Sequence, residues 1–165
     1  MKNVIIIVAL ILVSINSFAQ KFTINELVKM LKFNDDQFDT YITKKGFQYW
    51  KTETFSPSGE LPYTATLYAH NKNGHSDKSG YFISKCISAG VVFINLQTSQ
   101  KTDYLSFKSD ISASGFKYDG TKDNENGAKY LYYSKGTLAI CLISTEGTNG
   151  LQEKITLYKL TIQYQ

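Results

Sequence analysis

Arginine is absent from this sequence of 165 residues, and all 18 basic residues are lysine. The planar guanidinium of arginine reads base edges and clamps phosphates through paired hydrogen bonds, which a lysine ammonium cannot imitate. The lysines are also scattered among 14 acidic residues instead of forming a basic block. The composition therefore argues against specific nucleic-acid binding.

Histidine is scarce as well, since the chain has only His70 and His75. They share one polar stretch with Asp77, and two histidines with one carboxylate are a conceivable metal site. The Asn-Gly pair between them is typical of a turn, however, and no further ligand cluster accompanies them. We therefore expect a polar loop, with no metal and no cofactor.

Motifs of known enzyme classes are missing too. The chain has no Gly-x-Ser-x-Gly motif and no glycine-rich phosphate loop. The acidic segment 119–127 resembles a calcium loop, but Asn124 and Tyr130 stand where an EF-hand needs glycine and glutamate. Asp35 and Asp36 form a carboxylate pair that a helix start already explains. We expect a protein that is not an enzyme and whose segment 119–127 is a solvated turn.

Only the N-terminus carries a long apolar run. The run from Val4 to Val13 follows the basic Lys2, and small residues precede Gln20. It is about half the ~20 residues that span a bilayer. The pattern predicts a signal peptide, residues 1–19, cleaved after Ala19, and an exported protein that is periplasmic or extracellular and not inserted in the membrane. Such a signal, on a chain rich in lysine, asparagine and tyrosine, resembles small exported proteins of the Bacteroidetes.

The two cysteines, Cys86 and Cys141, both lie in apolar stretches typical of strands. An oxidising compartment would permit a disulfide between them. Free cysteines are also among the most buried residue types, so two separate buried thiols are the alternative. A disulfide requires Cα atoms within ~7 Å, which the sequence alone does not establish. Both possibilities remain open at this point.

A twelve-residue pattern occurs twice, as Phe38-Asp-Thr-Tyr-Ile-Thr-Lys-Lys-Gly-Phe-Gln-Tyr49 and as Phe107-Lys-Ser-Asp-Ile-Ser-Ala-Ser-Gly-Phe-Lys-Tyr118. In each copy, Phe and Ile four residues apart share a helix face, and Phe-x-Tyr alternates as a strand does. Gly46 and Gly115 stand where a helix ends on a left-handed residue. The pattern predicts, in both places, a helix that turns directly into a strand.

Around this pattern the sequence predicts two similar halves, residues 20–98 and 99–165, that form one compact domain. A capping box at Thr23 and Glu26 opens a helix-loop-helix in the first half, and each half continues with four strands. The predicted fold class is α+β, with two tandem repeats of a helix or helix-loop-helix followed by a four-stranded antiparallel meander and helices on one sheet face. One sheet or two sheets remain open. This arrangement resembles the tandem repeat of the β-lactamase inhibitor protein fold, which implies a concave sheet that grips another protein.

Aromatic residues are abundant, with 12 Tyr, 10 Phe and one Trp. Strand alternation predicts that the sheet face away from the helices carries Trp50 and Tyr68, and that the second half adds Tyr130, Tyr132 and Tyr133. Trp and Tyr are favoured as interface anchors. The alternative is that these rings form a second core layer, which tyrosine also suits.

The leading hypothesis is an exported binding or inhibitory module without catalytic activity, which recognises another protein through this aromatic face. A structural or assembly component of the cell envelope is the second hypothesis, and an enzyme with dispersed catalytic residues is the third. A homo-oligomer is compatible with the first two. A pocket lined by His70, His75 and carboxylates would favour the enzyme, whereas a flat or concave face rich in tyrosine would favour protein binding.

Overall fold

The computed structural model of the chain describes residues 22–57, 59, 61–70, 81–124, 127–148 and 154–165. The predicted signal peptide lies outside the described residues. Within the described ranges, three helices and eight strands follow one another in the order α1 (Ile24–Met30), α2 (Asp35–Lys44), β1 (Phe47–Phe55), β2 (Tyr63–His70), β3 (Tyr81–Ser88), β4 (Val91–Thr98), α3 (Lys101–Ala113), β5 (Lys117–Asp123), β6 (Lys129–Lys135), β7 (Leu138–Thr148) and β8 (Lys154–Tyr164).

The eight strands form one antiparallel sheet, in the order β1-β2-β3-β4-β8-β7-β6-β5. The predicted fold class of two tandem repeats, each with its own four-stranded meander, is therefore wrong: the described residues build a single sheet with three short helices. Strands β4 and β8 pair with each other at its centre, from Phe93 opposite Gln163 to Thr98 opposite Tyr158. An unpaired strand edge leaves backbone N–H and C=O groups without partners, and this pairing removes two such edges.

The first two helices begin as their sequence predicts. The Thr23 hydroxyl accepts a hydrogen bond from the Glu26 amide, and the Glu26 carboxylate accepts one from the Thr23 amide. Asn34 and Gln37 make the same reciprocal pair at the start of α2. Each box satisfies amides that the first helical turn leaves without partners.

Gly46 and Gly115 end α2 and α3 with φ angles of 85° and 78°. This left-handed region is where a residue with a Cβ is strained and glycine is not. The local prediction of a helix that stops on glycine and turns into a strand is confirmed at both sites. The similarity stays local, since the strands that follow belong to one common sheet.

The helices pack on one face of the sheet, which we call the helix face. Phe38 and Ile42 of α2 and Phe107 and Ile111 of α3 are all at most 1% exposed. Beneath them lie alternate residues of the central strands, which include Ile83, Ile94, Leu96, Ile140, Leu142, Leu160 and Ile162. Burial of each such side chain stabilises the fold by ~1.5–3 kcal/mol, so this layer is the main core.

Both edge strands contain a β-bulge. The register shifts between Tyr49 and Lys51 in β1, and between Tyr118 and Gly120 in β5. The extra residues are thus Trp50 and Asp119. A bulge strengthens the local twist and re-aims the extra side chain, so these two positions break the regular alternation of their strands.

Candidate functional site

The second face of the sheet carries no described helix, and we call it the open face. The register aligns its side chains in rows across the strands. One row runs Ala69, Phe82, Gln97, Lys159, Ile143, Tyr130 and Lys122, and the next runs Leu67, Ser84, Asn95, Thr161, Cys141, Tyr132 and Gly120. Aromatic and apolar residues thus lie toward both ends of the rows, with polar residues at the centre.

A cleft of about 310 Å³ opens on the β1–β4 part of this face. Aromatic rings form much of its wall, and polar groups reach it from β3, β4 and β8. The aromatic residues are Trp50, Phe55, Tyr63 and Phe82, and the polar ones are Ser84, Asn95, Gln97 and Lys159. This combination offers stacking and apolar contact on one side, with hydrogen bonding and one positive charge on the other.

Ring contacts hold the aromatic wall in place. The Trp50 and Phe82 ring centroids are 5.5 Å apart, and Tyr63 lies 5.1 Å from Phe55 and 5.4 Å from Phe93. The Lys51 ammonium lies 4.8 Å from the centroid of the Trp50 ring. Such contacts are worth ~0.5–1.5 kcal/mol each beyond area burial, so the wall is ordered before anything binds.

Trp50 is 40% exposed although its ring touches Phe82. Strand alternation turns the Trp50 side chain to the open face, and the bulge puts Lys51 on the same face. The adjacent Tyr49 lies on the opposite side, where its ring centroid is 6.0 Å from that of Tyr68. These two adjacent aromatic residues of β1 therefore lie on opposite faces of the sheet.

The β6 end of the open face carries a smaller aromatic pair. Tyr130 and Tyr132 stack with centroids 6.4 Å apart, and Tyr132 is 39% exposed. Both rings line a depression of about 470 Å³ together with Lys122, Asp123 and Asn124. Two separate aromatic clusters, one at Trp50 and one at Tyr132, are thus exposed on the same face.

The prediction placed Tyr68 and Tyr133 on this face as well, and the structure places both under the helices. Each is 4% exposed. Tyr68 packs against Phe38, with centroids 5.7 Å apart, and its hydroxyl donates to the Asp39 carboxylate at 3.0 Å. Burial raises the pKa of the Tyr133 hydroxyl above its usual value. The reason is strand alternation, because each residue has an open-face neighbour, Leu67 or Tyr132, and so must point the other way.

Cys86 and Cys141 are free thiols, so the disulfide is not formed. Both lie on the open face, but β4 and β8 separate their strands. Three strand spacings of ~4.8 Å put the two strands ~14 Å apart, about twice the limit for a disulfide. Burial raises the pKa of Cys86, although its contacts with Ser84 and the charge of Lys159 oppose the shift. Burial also raises the pKa of Cys141 to about 11, so neither thiol is a reactive thiolate at neutral pH.

The residues considered for metal binding do not form a site among the described residues. His75 and Asp77 lie outside them, and the His70 ring packs edge-on against Phe47 at 5.1 Å. In the described part of the chain, no three His, Cys, Asp or Glu side chains are grouped to hold a metal ion. The predicted turn at 119–127 is wrong in its first part, because β5 continues through Asp123.

A charged network ties the helices together on the other side of the molecule. The Glu26 carboxylate accepts hydrogen bonds from the Tyr41 hydroxyl and the Lys45 ammonium, each at 2.6 Å. Partial burial raises the pKa of Glu26, but these bonds and those from Thr23 outweigh it and lower the pKa to about 2. The same contact, together with burial, raises the pKa of Tyr41 to about 12. The capping box of α1 explains this network, which therefore has a structural role.

Sequence reasoning missed Phe82, Tyr63 and Lys159, which complete the cleft. The alternation of β3 could have found Phe82, since it stands between two apolar residues of the opposite parity, Tyr81 and Ile83. Lys159 could not be found in this way, because its position beside Gln97 depends on the pairing of β4 with β8.

Among the described residues, no helix is both long and apolar enough to cross a membrane. Comparison of the chain with models of protein families, with curated proteins and with solved structures found no match.

Proposed function

We propose that this chain is an exported binding or inhibitory module without catalytic activity, which recognises another protein through the open face of its sheet. The observation that carries the proposal is the exposure of Trp50 and Tyr132 on a face that no described helix covers. Soluble monomers seldom leave more than a few hundred Å² of contiguous apolar surface uncovered. Trp and Tyr are also the residue types that most often anchor protein interfaces.

The dimensions of the face favour a macromolecular partner. Seven strands from β1 to β6 contribute to it. At ~4.8 Å for each strand spacing the two aromatic clusters lie ~29 Å apart, which is far longer than a small ligand. A standard protein interface covers ~800 Å² of each partner, and a sheet face of this width provides an area of that order. The two aromatic clusters would then anchor opposite ends of one interface.

The polar groups of the face are ordered before anything binds. Asn95, Gln97 and Thr161 lie between its two aromatic clusters. The Thr161 hydroxyl donates to the Asn95 carbonyl at 2.7 Å, and the Asn95 amide donates to the Cys86 sulfur at 3.4 Å. These contacts orient the polar groups in advance, which reduces the entropy lost on binding.

The proposal is tested by matched substitutions in β1. The protein would be immobilised and used to capture proteins from the periplasmic and secreted fractions of the native host, as wild type, as Trp50→Ala and as Tyr49→Ala. Trp50→Ala should weaken binding of a specifically captured protein by roughly 2 kcal/mol, as loss of an aromatic anchor does. Tyr49→Ala removes a ring that is more exposed, 54% against 40% for Trp50, from the other face and should leave binding unchanged. Equal effects of the two substitutions would contradict the proposal.

Export has its own test, because it depends on the N-terminal pattern alone. Mass spectrometry of the protein from its native host should find a mature N-terminus at Gln20, as residues 1–19 predict. A main species that is cytosolic and retains Met1 would contradict export, and it would leave the open face to be explained by an intracellular partner.

A further inference from the structure

Lys159 is the charged group of the cleft. It lies in β8 directly opposite Gln97 on one side and Ile143 on the other, and so stands near the middle of the open face. The cleft has no acidic residue in its lining. No carboxylate of the described residues forms an ion pair with Lys159, whereas Lys45, Lys51 and Lys85 each have one.

The immediate neighbours of Lys159 on the same face are also uncharged. They are Gln97 and Ile143 in the same row and Asn95, Thr161 and Cys141 in the next. A positive charge that is half-buried among neutral groups attracts an anion more strongly than one on a solvated surface, because the effective dielectric constant is lower. The cleft is therefore complementary to a negative charge.

Resting on the proposed function, we propose that the cleft recognises an acidic side chain of the protein partner, presented beside an aromatic or aliphatic one. The carboxylate pairs with the Lys159 ammonium. The apolar side chain packs against Trp50 and Phe82. The Gln97 amide, which stands between Phe82 and Lys159 in the row, is placed to donate a hydrogen bond to the same carboxylate.

The spacing of the row fits two side chains of one extended segment. Phe82 and Lys159 are two strands apart, or ~10 Å at the usual spacing. Residues i and i+2 of an extended chain face the same side and are ~6.6 Å apart. The long lysine side chain can span the difference between this spacing and the separation of the two strands. The motif expected in the partner is therefore an apolar residue followed two positions later by Asp or Glu.

Trp50 is the only tryptophan of the chain, so its fluorescence reports directly on the cleft. The probes are two blocked tripeptides, acetyl-Phe-Gly-Asp-amide and acetyl-Phe-Gly-Asn-amide, which differ in charge and hardly in shape. Titration of the purified protein should show the Asp peptide binding roughly three- to fivefold more tightly, the gain expected of a partly exposed ion pair. Raising the salt to ~1 M should reduce this preference, because screening then acts within ~3 Å.

The substitution Lys159→Met keeps the apolar stem and removes the charge. It should abolish the preference for the Asp peptide and leave the affinity for the Asn peptide unchanged. Lys122→Met is the matched control, since Lys122 ends the same row three strands away. It should keep the full preference. Failure of the Asp peptide to bind, equal binding of both peptides, or a preference that survives Lys159→Met would each overturn the proposal.

Capture of the partner separates this inference from the function on which it rests. If Trp50→Ala and Lys159→Met both weaken capture, both are supported. If Trp50→Ala weakens capture and Lys159→Met does not, recognition of an acidic side chain by the cleft is overturned, and the open face remains the proposed binding surface. Loss with neither would overturn both. Circular dichroism of each variant should match the wild type, so that a change in binding is not a change in fold.

Discussion

The two faces of the sheet are made by the same eight strands and differ in almost every physical property. Under the helices the residues are aliphatic or aromatic and nearly all below 5% exposed, as Ile83 and Leu96 are at 1%. On the open face, the neighbours of these residues along the strands include Phe82, Asn95 and Gln97, which leave a ring and polar groups partly accessible. Core packing explains the side chains of the helix face. It does not explain the exposed side chains of the open face, and the open face is therefore the candidate for function.

The largest effect is expected from adjacent tyrosines in β6 that face opposite sides. Tyr133→Ala should lower the free energy of unfolding by about 3–5 kcal/mol, since the substitution leaves a cavity beneath α3. Tyr132→Ala removes a ring that is 39% exposed and should cost about 1 kcal/mol or less. Urea denaturation of the two variants measures the difference. Equal losses of unfolding free energy would mean that the two faces contribute equally to stability, and would contradict the difference between them.

Glu26→Gln tests the charged network on the helix side. The carboxylate has its pKa lowered to about 2 in the folded protein, so its contribution is present above the ordinary value of 4.5 and is lost as pH falls toward 2. The substitution should cost on the order of 1–2 kcal/mol at pH 7, allowing for solvent screening. The difference from wild type should shrink as the pH of urea denaturation is lowered from 4.5 to 2.

Glu53→Gln serves as the control for that experiment. Glu53 pairs with Lys51 on the edge strand β1, and both side chains are more than two-fifths exposed. Exposed ion pairs contribute ~0–1 kcal/mol, so the substitution should have little effect on unfolding. A cost equal to that of Glu26→Gln would show that the hydrogen bonds of Tyr41 and Thr23 to Glu26 add nothing.

A smaller effect is expected where α3 meets β5. Gly115→Val places a β-branched residue at a φ of 78° and should cost about 1 kcal/mol or more through backbone strain. A Cβ at this position would approach Lys135 Nζ no closer than 3.7 Å, so crowding does not contribute. Gly115→Asn should be milder, because asparagine tolerates the left-handed region. Thermal unfolding of both variants compares them, and a harsher effect of Asn would contradict the strain account.

A modest effect on stability is expected at Trp50. Its ring is 40% exposed and contacts Phe82 and Lys51 on an edge strand, so Trp50→Ala should lower the free energy of unfolding by about 1–2 kcal/mol, well below the loss expected of Tyr133→Ala. The same variant has the largest predicted effect on partner binding. If Trp50→Ala unfolds the protein, Trp50 belongs to a second core and the open face loses its principal anchor.

Short-range features of this fold could be predicted from the sequence. The capping boxes at Thr23 and Asn34 and the left-handed Gly46 and Gly115 depend on residues within four positions of each other, and the structure contains all of them. The fold class could not be predicted in the same way. The fold class depends on the pairing of β4 with β8, and no local sequence pattern indicates that these two strands pair.

The candidate site shows the same limit. The face of Tyr68 follows from its register with Tyr49 and Ile83, and a shift of one residue in that register moves a side chain to the opposite face. The bulge at Trp50 could not be predicted, because no pattern in the sequence indicates it. The separation of Cys86 from Cys141 likewise depends on which strands lie between theirs.

The position of β8 has a consequence for how the chain folds. Phe93 in β4 pairs with Gln163, which lies about 70 residues later in the sequence. Every other strand pair of the sheet joins two strands that are consecutive in the chain. Contacts so distant in sequence carry a larger loop-closure entropy and form slowly. We expect two half-sheets to assemble first and to join late, each with one long unsatisfied edge in the meantime.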